Sequence, residues 1–536
     1  MDSQKEYKLL LILPKDLTLN YELFSEKVGF ITRMSKGSPP LSLATIAALT
    51  PANFKIKIID ENIEEIDFNE NYDLVGITGN TYHINQAKEI ANEFSKRKIL
   101  VVCGGFSVSV CPERWRSFAD VLIIGEAERI WPEFLTDFIA GSCKKEYIET
   151  ERFDLVVTPA PDYSPISRSN LRKYSFGVVQ TNRGCPFKCE FCSVTVYAGN
   201  KSRYKPVYKI IEEIDQIQKI WKYRYIFIVD DNFSADILKA KEVLAALKEW
   251  NLKQRKHVTF ITQISIDCAK DDEFLVLAAE AGLTIFSIGI ETPNIESLKE
   301  ARKFQNVVLN INETVKKIHQ HGITIMANSM IGFDNDDLSI FKKQFEFFSE
   351  LGIANVSIYQ LLAFEGTPLK DRMIREGRYI YLNETLFGEG HYFNILNASN
   401  IIPKNMSVKQ LQNGIIELLD ELYISNNYIE RFKIFFKDYE SSDKKNEITI
   451  SKTFLDFAAI GIVIRLTIFI LFKAASSERD ALIKMFKIAY NSTHPQRYGI
   501  LLYYFMRLLN YQNFLSVITS EWSKMKHDEK LINVTQ

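Results

Sequence analysis

Short apolar runs alternate with longer amphipathic stretches over the first 140 residues of the chain. The runs are rich in Val, Ile and Leu, which fill buried strands. The stretch 84–95 is predicted as a helix, because apolar residues recur there at helical spacing: Ala87, Ile90, Ala91 and Phe94. Strands that alternate with helices predict a doubly wound parallel sheet of class α/β. The predicted strands are 9–13, 55–59, 74–78, 99–104 and 121–125.

The same alternation returns after a polar, turn-rich connector. Six further strand–helix units predict a partial (β/α)6 barrel, more open than the eight-stranded form. The predicted barrel strands are 176–180, 225–229, 259–264, 285–290, 323–330 and 356–361. Beyond them no strand pattern continues, and the remainder reads as helical. The chain thus divides into four predicted regions: an α/β domain at 1–140, the connector at 141–175, the barrel at 176–375 and a helical C-terminal region at 376–536.

The segment 457–472 of the C-terminal region is almost entirely apolar. Its 16 residues are fewer than the roughly 20 that a membrane-spanning helix needs. It also contains Arg465, and a charge inside a bilayer is costly. A buried helix of a helical domain is the favoured interpretation, and a helix that lies in the membrane interface is the alternative.

Composition indicates an ordinary globular protein. Of 536 residues, 46% are hydrophobic and 25% are charged, and the formal net charge of −1 gives no electrostatic reason to expect nucleic acid as a partner. Seven cysteines, an odd number in a long chain, favour a reducing compartment over disulfides. The apolar run at 8–14 is too short for a signal-peptide core, so we expect the cytoplasm, with peripheral membrane contact as the variant.

Three of the cysteines lie within eight residues, in the spacing C-x3-C-x2-C: Cys185, Cys189 and Cys192. Three thiolates this close can hold one inorganic centre. A cubane iron–sulfur cluster usually takes four cysteines, so a set of three leaves one iron open to an outside ligand. A zinc knuckle is the weaker alternative, because zinc prefers four-ligand sets and no second C-x2-C pair is present.

The cysteine run resembles that of the radical S-adenosylmethionine (SAM) enzymes, in which SAM binds the open iron. Segments 227–233, 288–293, 331–336 and 364–369 resemble the later motifs of that family, in order; Glu365 replaces the usual proline of the last one. The resemblance implies SAM contacts at Asp230, Asp231, Asn232, Glu291, Arg203 and Gly332. The three residues 230–232 also suit a helix N-cap, which is an equally good interpretation.

The α/β domain ahead of the barrel resembles that of the cobalamin-binding radical SAM enzymes, in the branch that contains the hopanoid C-2 methylase. The segments 39–43, 74–78, 102–105 and 124–128 resemble that domain, and 402–407 resembles the tail of the branch. Ligands of such sheets bind at the strand carboxyl ends. The implied cobalamin contacts are Gly79, Asn80, Gly104, Gly105, Gly125 and Glu126.

The chain departs from that domain in two places. It has no D-x-H-x-x-G motif, so no histidine is offered as the lower cobalt ligand. Phe106 and Ser107 follow the paired glycines, where many relatives have proline and histidine. His83 lies near the expected corrin face, but a lone histidine is more often structural, and we do not assign it to cobalt.

The resemblance implies a C-methyltransferase. The reduced 4Fe–4S cluster cleaves SAM, the resulting radical removes hydrogen from an unactivated carbon, methylcobalamin methylates that carbon, and a flavodoxin- or ferredoxin-type donor supplies electrons. A cobalamin-dependent rearrangement or cyclisation without methyl transfer is the alternative enzyme, and a non-catalytic iron–sulfur electron-transfer or sensor protein is a less favoured third hypothesis. The substrate is predicted to be a small or lipid-like molecule, and the sequence indicates no catalytic acid or base.

Overall fold

The computed structural model describes residues 5–15, 37–221, 225–381, 399–440, 457–492 and 497–525. Strands and helices are numbered below in chain order within these ranges.

The N-terminal part is a six-stranded, fully parallel sheet in the order β2-β1-β3-β4-β5-β6. This confirms the predicted doubly wound fold. The sheet has one strand more than predicted, because the last strand lies inside the expected connector. Its strands are β1 (Tyr7–Leu13), β2 (Phe54–Asp60), β3 (Leu74–Thr78), β4 (Leu100–Gly104), β5 (Val121–Ile124) and β6 (Glu146–Ile148).

Helices cover both faces of this sheet. Successive residues of β1 point to opposite faces: Leu9 and Leu11 belong to one buried cluster, and Leu10 and Ile12 to the other. A strand buried on both faces reads as a continuous apolar run, which is the pattern seen in the sequence. The helices of this part are α1 (Leu41–Leu49), α2 (Ile84–Lys96), α3 (Phe106–Val110) and α4 (Ala127–Ala140).

The second sheet also has six parallel strands, in the order β14-β13-β12-β11-β10-β7, and forms the predicted partial barrel. A short antiparallel pair, β8 with β9, stands apart from it. The strands are β7 (Gly177–Val179), β8 (Asn182–Arg183), β9 (Arg203–Tyr204), β10 (Tyr225–Ile228), β11 (Thr259–Ile264), β12 (Leu283–Glu291), β13 (Thr324–Ile331) and β14 (Asn355–Gln360).

The longer helices between these strands lie on the outside of the barrel, and apolar residues of both form one core. The helices from the connector to the end of the barrel are α5 (Arg168–Leu171), α6 (Val194–Tyr197), α7 (Val207–Trp221), α8 (Ile237–Leu252), α9 (Asp272–Ala281), α10 (Ile295–Glu300), α11 (Phe304–Val307), α12 (Ile311–Gln320), α13 (Ile340–Glu350) and α14 (Pro368–Arg375).

The described C-terminal residues are mainly helical, as predicted: α15 (Val408–Tyr423), α16 (Ser425–Glu440), α17 (Phe457–Phe472), α18 (Ser476–Tyr490) and α19 (Arg497–Met525). They extend the barrel core, because Tyr423 bonds the backbone of β14 and Phe435 contacts His319 of α12. The apolar segment 457–472 is α17. Among the described residues, no helix is long and apolar enough to cross a membrane.

Candidate active site

The three clustered cysteines lie on the loop that joins β8 to α6. Cys189 is buried, and Cys185 and Cys192 are half-buried. The backbone N–H of Cys185 donates to the carbonyl of Gly199 at 3.3 Å, and that of Cys192 donates to the carbonyl of Cys189 at 3.2 Å. Because β8 and β9 pair on either side of the loop, they hold its two ends together.

The surroundings of these thiols fit an iron–sulfur centre. Burial, together with the neighbouring thiols of Cys189 and Cys185, raises the pKa of Cys192 to about 12. Side-chain amides also face two of the sulfurs: Nδ2 of Asn232 lies 4.0 Å from Sγ of Cys185, and Nε2 of Gln305 lies 3.9 Å from Sγ of Cys189. Such N–H···S contacts tune clusters. Among the described residues, no His, Cys, Asp or Glu triplet has the arrangement that a single metal ion needs.

Asp230, which follows β10, holds the start of the cysteine loop. Its carboxylate accepts hydrogen bonds from the backbone N–H of Thr181 at 2.6 Å and of Asn182 at 3.1 Å, from Nδ2 of Asn182 at 3.0 Å, and from the Thr181 hydroxyl. Burial raises the pKa of Asp230 to about 7, and the donated hydrogen bonds oppose that rise. These contacts make Asp230 a positioning residue, and its contact with SAM remains a prediction.

The next two residues also bind the loop. Asp231 accepts from the N–H of Gly184 at 3.0 Å and from the Tyr197 hydroxyl at 2.5 Å. Asn232 accepts from the N–H of Ser265 at 3.1 Å through Oδ1, while its amide faces Cys185. The structure therefore brings residues 230–232 to the cysteines, as the sequence predicted, and none of these three caps α8, whose N-cap is Asp236.

Glu291 ends β12 in a left-handed backbone conformation, with φ +68°. A residue other than glycine pays a steric cost there, and such strain concentrates at functional sites. The buried carboxylate forms an ion pair with Lys303, whose ammonium also faces the thiols of Cys189 and Cys192. Sequence reasoning missed Lys303, because it lies on a loop without a motif, 12 residues beyond Glu291.

Gly332 follows β13 with φ +116°, as a turn glycine. Its N–H donates to Oδ2 of Asp336 at 3.0 Å, and the neighbouring Phe333 N–H donates to the same oxygen at 3.1 Å. The carboxylate of Asp336 therefore shapes the turn that contains Gly332, one of the predicted SAM contacts.

A second set of charges that the sequence did not reveal anchors the middle of the cysteine loop. Glu190, next to Cys189, accepts two hydrogen bonds from Arg372 of α14, at 2.7 Å and 3.0 Å. Arg372 also donates to Asp334 at 2.6 Å and to Glu300 at 3.0 Å. Bidentate arginine–carboxylate pairs hold geometry well. The loop is thus fixed from α14 as well as from β10.

The predicted cobalamin residues of the N-terminal sheet lie at its carboxyl edge. Gly105 and Gly125 have φ of +99° and +102°, which glycine adopts without steric cost. A Cβ on Gly105 would strike Thr78, whereas a Cβ on Gly104 would lie 3.4 Å from Ile123, an ordinary contact. Gly79, Asn80 and Glu126 complete the edge.

His83 is held in one tautomer. The N–H of Asn80 donates to its Nδ1 at 3.1 Å, so Nδ1 carries the lone pair and Nε2 carries the proton. A protonated Nε2 cannot bind cobalt, which agrees with leaving His83 unassigned. Nε2 is buried without a hydrogen-bond partner among the described residues, and burial lowers the pKa of His83 to about 4.

Glu126 and Arg203, predicted to contact different cofactors, meet each other. Arg203 of β9 donates to Glu126 through both terminal nitrogens, one at 2.7 Å, and to the carbonyls of Phe153 and Ala198. Arg183 adds an ion pair with Glu128 at 2.5 Å. Burial raises the pKa of Glu126, but its ion pairs outweigh burial and lower it overall. The sheet edge is thereby joined to the strand pair that flanks the cysteine loop.

Comparisons with known proteins agree with this arrangement. The chain matches the family models of the radical SAM superfamily over residues 179–347, of the B12 binding domain over residues 31–135, and of the Domain of unknown function DUF4070 over residues 367–518. The uncharacterized methyltransferase sll1242 of Synechocystis is 32% identical over 425 residues, which are 78% of this chain and 76% of that relative.

The chain belongs to the cobalamin-binding radical SAM enzymes. A second relative, the hopanoid C-2 methylase of Rhodopseudomonas palustris, is 28% identical over 70% of this chain and 72% of its own length. The bacteriochlorophyllide d C-12(1)-methyltransferase of Chlorobaculum tepidum is 25% identical over 81% of this chain and 91% of its own length.

Two solved structures share the fold of this radical SAM enzyme. OxsB, a cobalamin-dependent SAM radical enzyme with aqua-cobalamin and SAM bound, has a TM-score of 0.59 and 14% identity over 99% of this chain and 83% of OxsB. TsrM, a radical SAM methyltransferase of Kitasatospora setae, has a TM-score of 0.58 and 16% identity over 69% of this chain and 76% of TsrM. The family fixes three cofactors for this enzyme: a 4Fe–4S cluster, SAM and cobalamin.

Proposed function

We propose that this radical SAM enzyme is a C-methyltransferase that acts on an unactivated carbon of a small or lipid-like molecule. One observation carries the proposal: the Glu126–Arg203 ion pair joins the carboxyl edge of the B12-type sheet to β9, one of the two strands that flank the cysteine loop. Two cofactors that serve one substrate atom must face each other, and this contact holds their two binding regions together. Two of the relatives are named as methylases of a carbon position, C-2 of a hopanoid and C-12(1) of bacteriochlorophyllide d, which supports the same chemistry.

Cys185, Cys189 and Cys192 are proposed to hold the cluster, with SAM near residues 230–232, Glu291 and Gly332. When bound, the cluster with SAM supplies hydrogen abstraction and cobalamin supplies the methyl group. The chain's own residues orient these groups. Asp230 and Arg372 fix the two halves of the cysteine loop, and Lys303 places a positive charge beside two thiolates, where it offsets their negative charge.

The inner face of the barrel is proposed to receive the substrate. The half-exposed side chains proposed for this face alternate with buried ones along β10, β11 and β13, and β12 and β14 add one each. Among the described strand residues these side chains carry no charge: Phe227, Ile261, Ser287, Met326, Asn328, Met330 and Tyr359. Of these, Asn328 and Ser287 bond each other at 3.0 Å. An uncharged lining of this kind favours an apolar molecule over an ionic one.

The partners proposed for the enzyme follow from its cofactors. Reduction of the cluster needs an external electron donor of the flavodoxin or ferredoxin type. All seven cysteines are free, in keeping with a reducing compartment, so we place the enzyme in the cytoplasm with peripheral contact to a membrane.

The test uses the full chain, reconstituted without oxygen with iron, sulfide and cobalamin, then incubated with SAM, reductant and a lipid extract of cells that lack the gene. Methyl transfer predicts 5′-deoxyadenosine from one SAM, S-adenosylhomocysteine from a second SAM that supplies the methyl group, and a product in which methyl replaces one hydrogen. Formation of 5′-deoxyadenosine with an isomerised or cyclised product and no S-adenosylhomocysteine would instead establish the rearrangement. Absence of SAM cleavage in a protein with intact cluster and corrin spectra would contradict both.

A further inference from the structure

The C-terminal helices expose apolar side chains in one stretch of the chain. Leu471 and Phe472 at the end of α17 are 62% and 80% exposed, and Tyr490 at the end of α18 is 66% exposed. We call the whole set the C-terminal apolar surface: Ile468, Leu471, Phe472, Ile483, Phe486, Tyr490 and Tyr498. Exposed apolar residues that stand alone need no explanation, but a group of them indicates an interaction surface.

Helix α18 is apolar on two sides. Ala481, Met485 and Ala489 recur every four residues and are buried in the core with α16 and α19. Ile483 and Phe486 lie on the other side, about two turns and one turn before Tyr490, and are exposed. Core packing therefore explains the first stripe, whereas the second stripe stays exposed in the part of the chain that the structure describes.

The exposed side also carries stacked aromatic rings. The ring centroid of Phe486 lies 6.1 Å from that of Tyr490 and 5.7 Å from that of Tyr498. Tyrosine is enriched where protein meets the membrane–water interface, because its ring is apolar and its hydroxyl remains hydrated. A tyrosine on each side of a phenylalanine matches that environment.

Charge identifies the partner. Residues 465–498 contain six lysines and arginines and two acidic residues, although the whole chain has a net charge of −1. Four of the basic residues are exposed: Lys473, Arg479, Lys484 and Lys487. Helices with an apolar face and a basic rim bind anionic membranes, and each basic residue contributes about 1 kcal/mol of attraction at such a surface. A second copy of the chain would bring the same positive charge, so repulsion opposes self-association here.

We propose that the C-terminal apolar surface docks the enzyme on an anionic lipid bilayer, with the adjacent rings of Phe486, Tyr490 and Tyr498 in the headgroup region and the lysines against lipid phosphates. The inference rests on the proposed function, because a lipid-like substrate held in a membrane gives docking its use. It concerns α18 and the end of α17, and it needs no membrane-spanning segment.

The test measures cosedimentation of the full-length holoenzyme with vesicles of phosphatidylcholine that contain about a quarter of anionic phosphatidylglycerol. Phe486→Asp and the double variant Lys484→Glu/Lys487→Glu should each weaken binding about tenfold or more. Leu238→Asp is the matched control, because Leu238 is 67% exposed on the barrel helix α8 and should leave binding unchanged. The circular dichroism of each variant reports its folding, and the lysine reversals alter only exposed positions.

Equal binding of wild type and both surface variants would overturn the proposal, as would wild-type binding to pure phosphatidylcholine that the lysine reversals leave intact. Loss of a dimer in the Phe486→Asp variant, together with absence of vesicle binding in the wild type, would assign the surface to self-association instead. SAM cleavage measured without vesicles separates this test from the proposed function. If the wild type binds vesicles but forms no methylated product, the docking proposal stands and the methyltransferase proposal is refuted.

Discussion

Glu126 and Arg203 lie 77 residues apart and form a two-pronged ion pair at the boundary of the B12-type sheet and the barrel. Both side chains are more than four-fifths buried, at 8% and 19% exposure, so solvent screens the pair weakly. Glu126 directly follows the left-handed Gly125 of the cobalamin edge, and Arg203 belongs to the strand pair around the cysteine loop. One contact thus couples the geometry of both cofactor regions.

This coupling is testable with a double-mutant cycle. Glu126→Ala and Arg203→Ala should each lower the free energy of unfolding by about 2 kcal/mol, because each breaks a largely buried, charge-assisted hydrogen-bonded pair. Arg183, 3.6 Å from Glu126, still offsets part of the charge of that carboxylate in Arg203→Ala. The double variant should cost much less than the sum of the two. Chemical denaturation of the four proteins measures the cycle. If Arg203 contacts SAM rather than Glu126, Arg203→Ala alone weakens SAM binding and the two costs add.

The cluster assignment predicts a sharp difference among the seven cysteines. Cys185→Ala, Cys189→Ala or Cys192→Ala should remove most of the iron and all 5′-deoxyadenosine formation, because each thiolate would ligate one iron. Cys143→Ala is the matched control: Cys143 is half-buried beside α4, far along the chain from the loop, and its loss should leave iron content unchanged. A variant of the three that kept full iron and full SAM cleavage would refute the assignment.

Two paired glycines allow the cobalamin edge to be tested without confusing binding with folding. Gly104→Leu should fold, because its Cβ would make only ordinary contacts with Ile123. It should lose corrin absorbance after desalting, because a side chain at this strand end would occupy space that the proposed cobalamin needs. Gly105→Ala should instead be destabilised, by roughly 1–2 kcal/mol, because φ is left-handed there and Thr78 blocks the Cβ. Retention of a full complement of cobalamin by Gly104→Leu would place the corrin elsewhere.

The buried histidines predict acid sensitivity above pH 4. Burial lowers the pKa of His83 to about 4 and of His319 to about 3 in the folded state, from an ordinary value of 6.5. Below pH 6.5 these histidines therefore bind protons in the unfolded chain but not yet in the folded protein. Their contribution to the free energy of unfolding is full above pH 6.5 and is lost as the pH falls towards the pKa of the folded state. For His83 the loss reaches at most about 3 kcal/mol at pH 4.

Free energies of unfolding measured between pH 7 and pH 4.5 check this expectation. This range covers roughly the interval between the ordinary pKa of histidine and the lowered pKa of His83. His319→Gln and His83→Gln should each flatten the pH dependence relative to wild type. Equal slopes in the three proteins would contradict a depressed pKa at either buried site.

The sequence alone determined the parts of this protein that local pattern encodes. Continuous apolar runs predicted the parallel strands, and apolar residues at helical spacing predicted the helices between them. The three cysteines, together with the motifs at the strand ends, identified the family. It missed β6, because only three residues pair there and Glu146 interrupts the apolar pattern. It also left α17 open between core and interface, because a nearly uniform apolar helix has no polar face from which to read its environment.

Tertiary structure alone decided which charged residues face one another. Glu190 with Arg372, Glu291 with Lys303 and Glu126 with Arg203 are 182, 12 and 77 residues apart, and no local period links them. Arg203 illustrates the reason: a basic residue after a cluster loop suits a SAM carboxylate by type, but the placement of Glu126 by another sheet decides its neighbour. Which long charged side chains pair depends on how the two sheets are placed relative to each other. Local spacing along the chain does not show this, because the placement results from the packing of the whole fold.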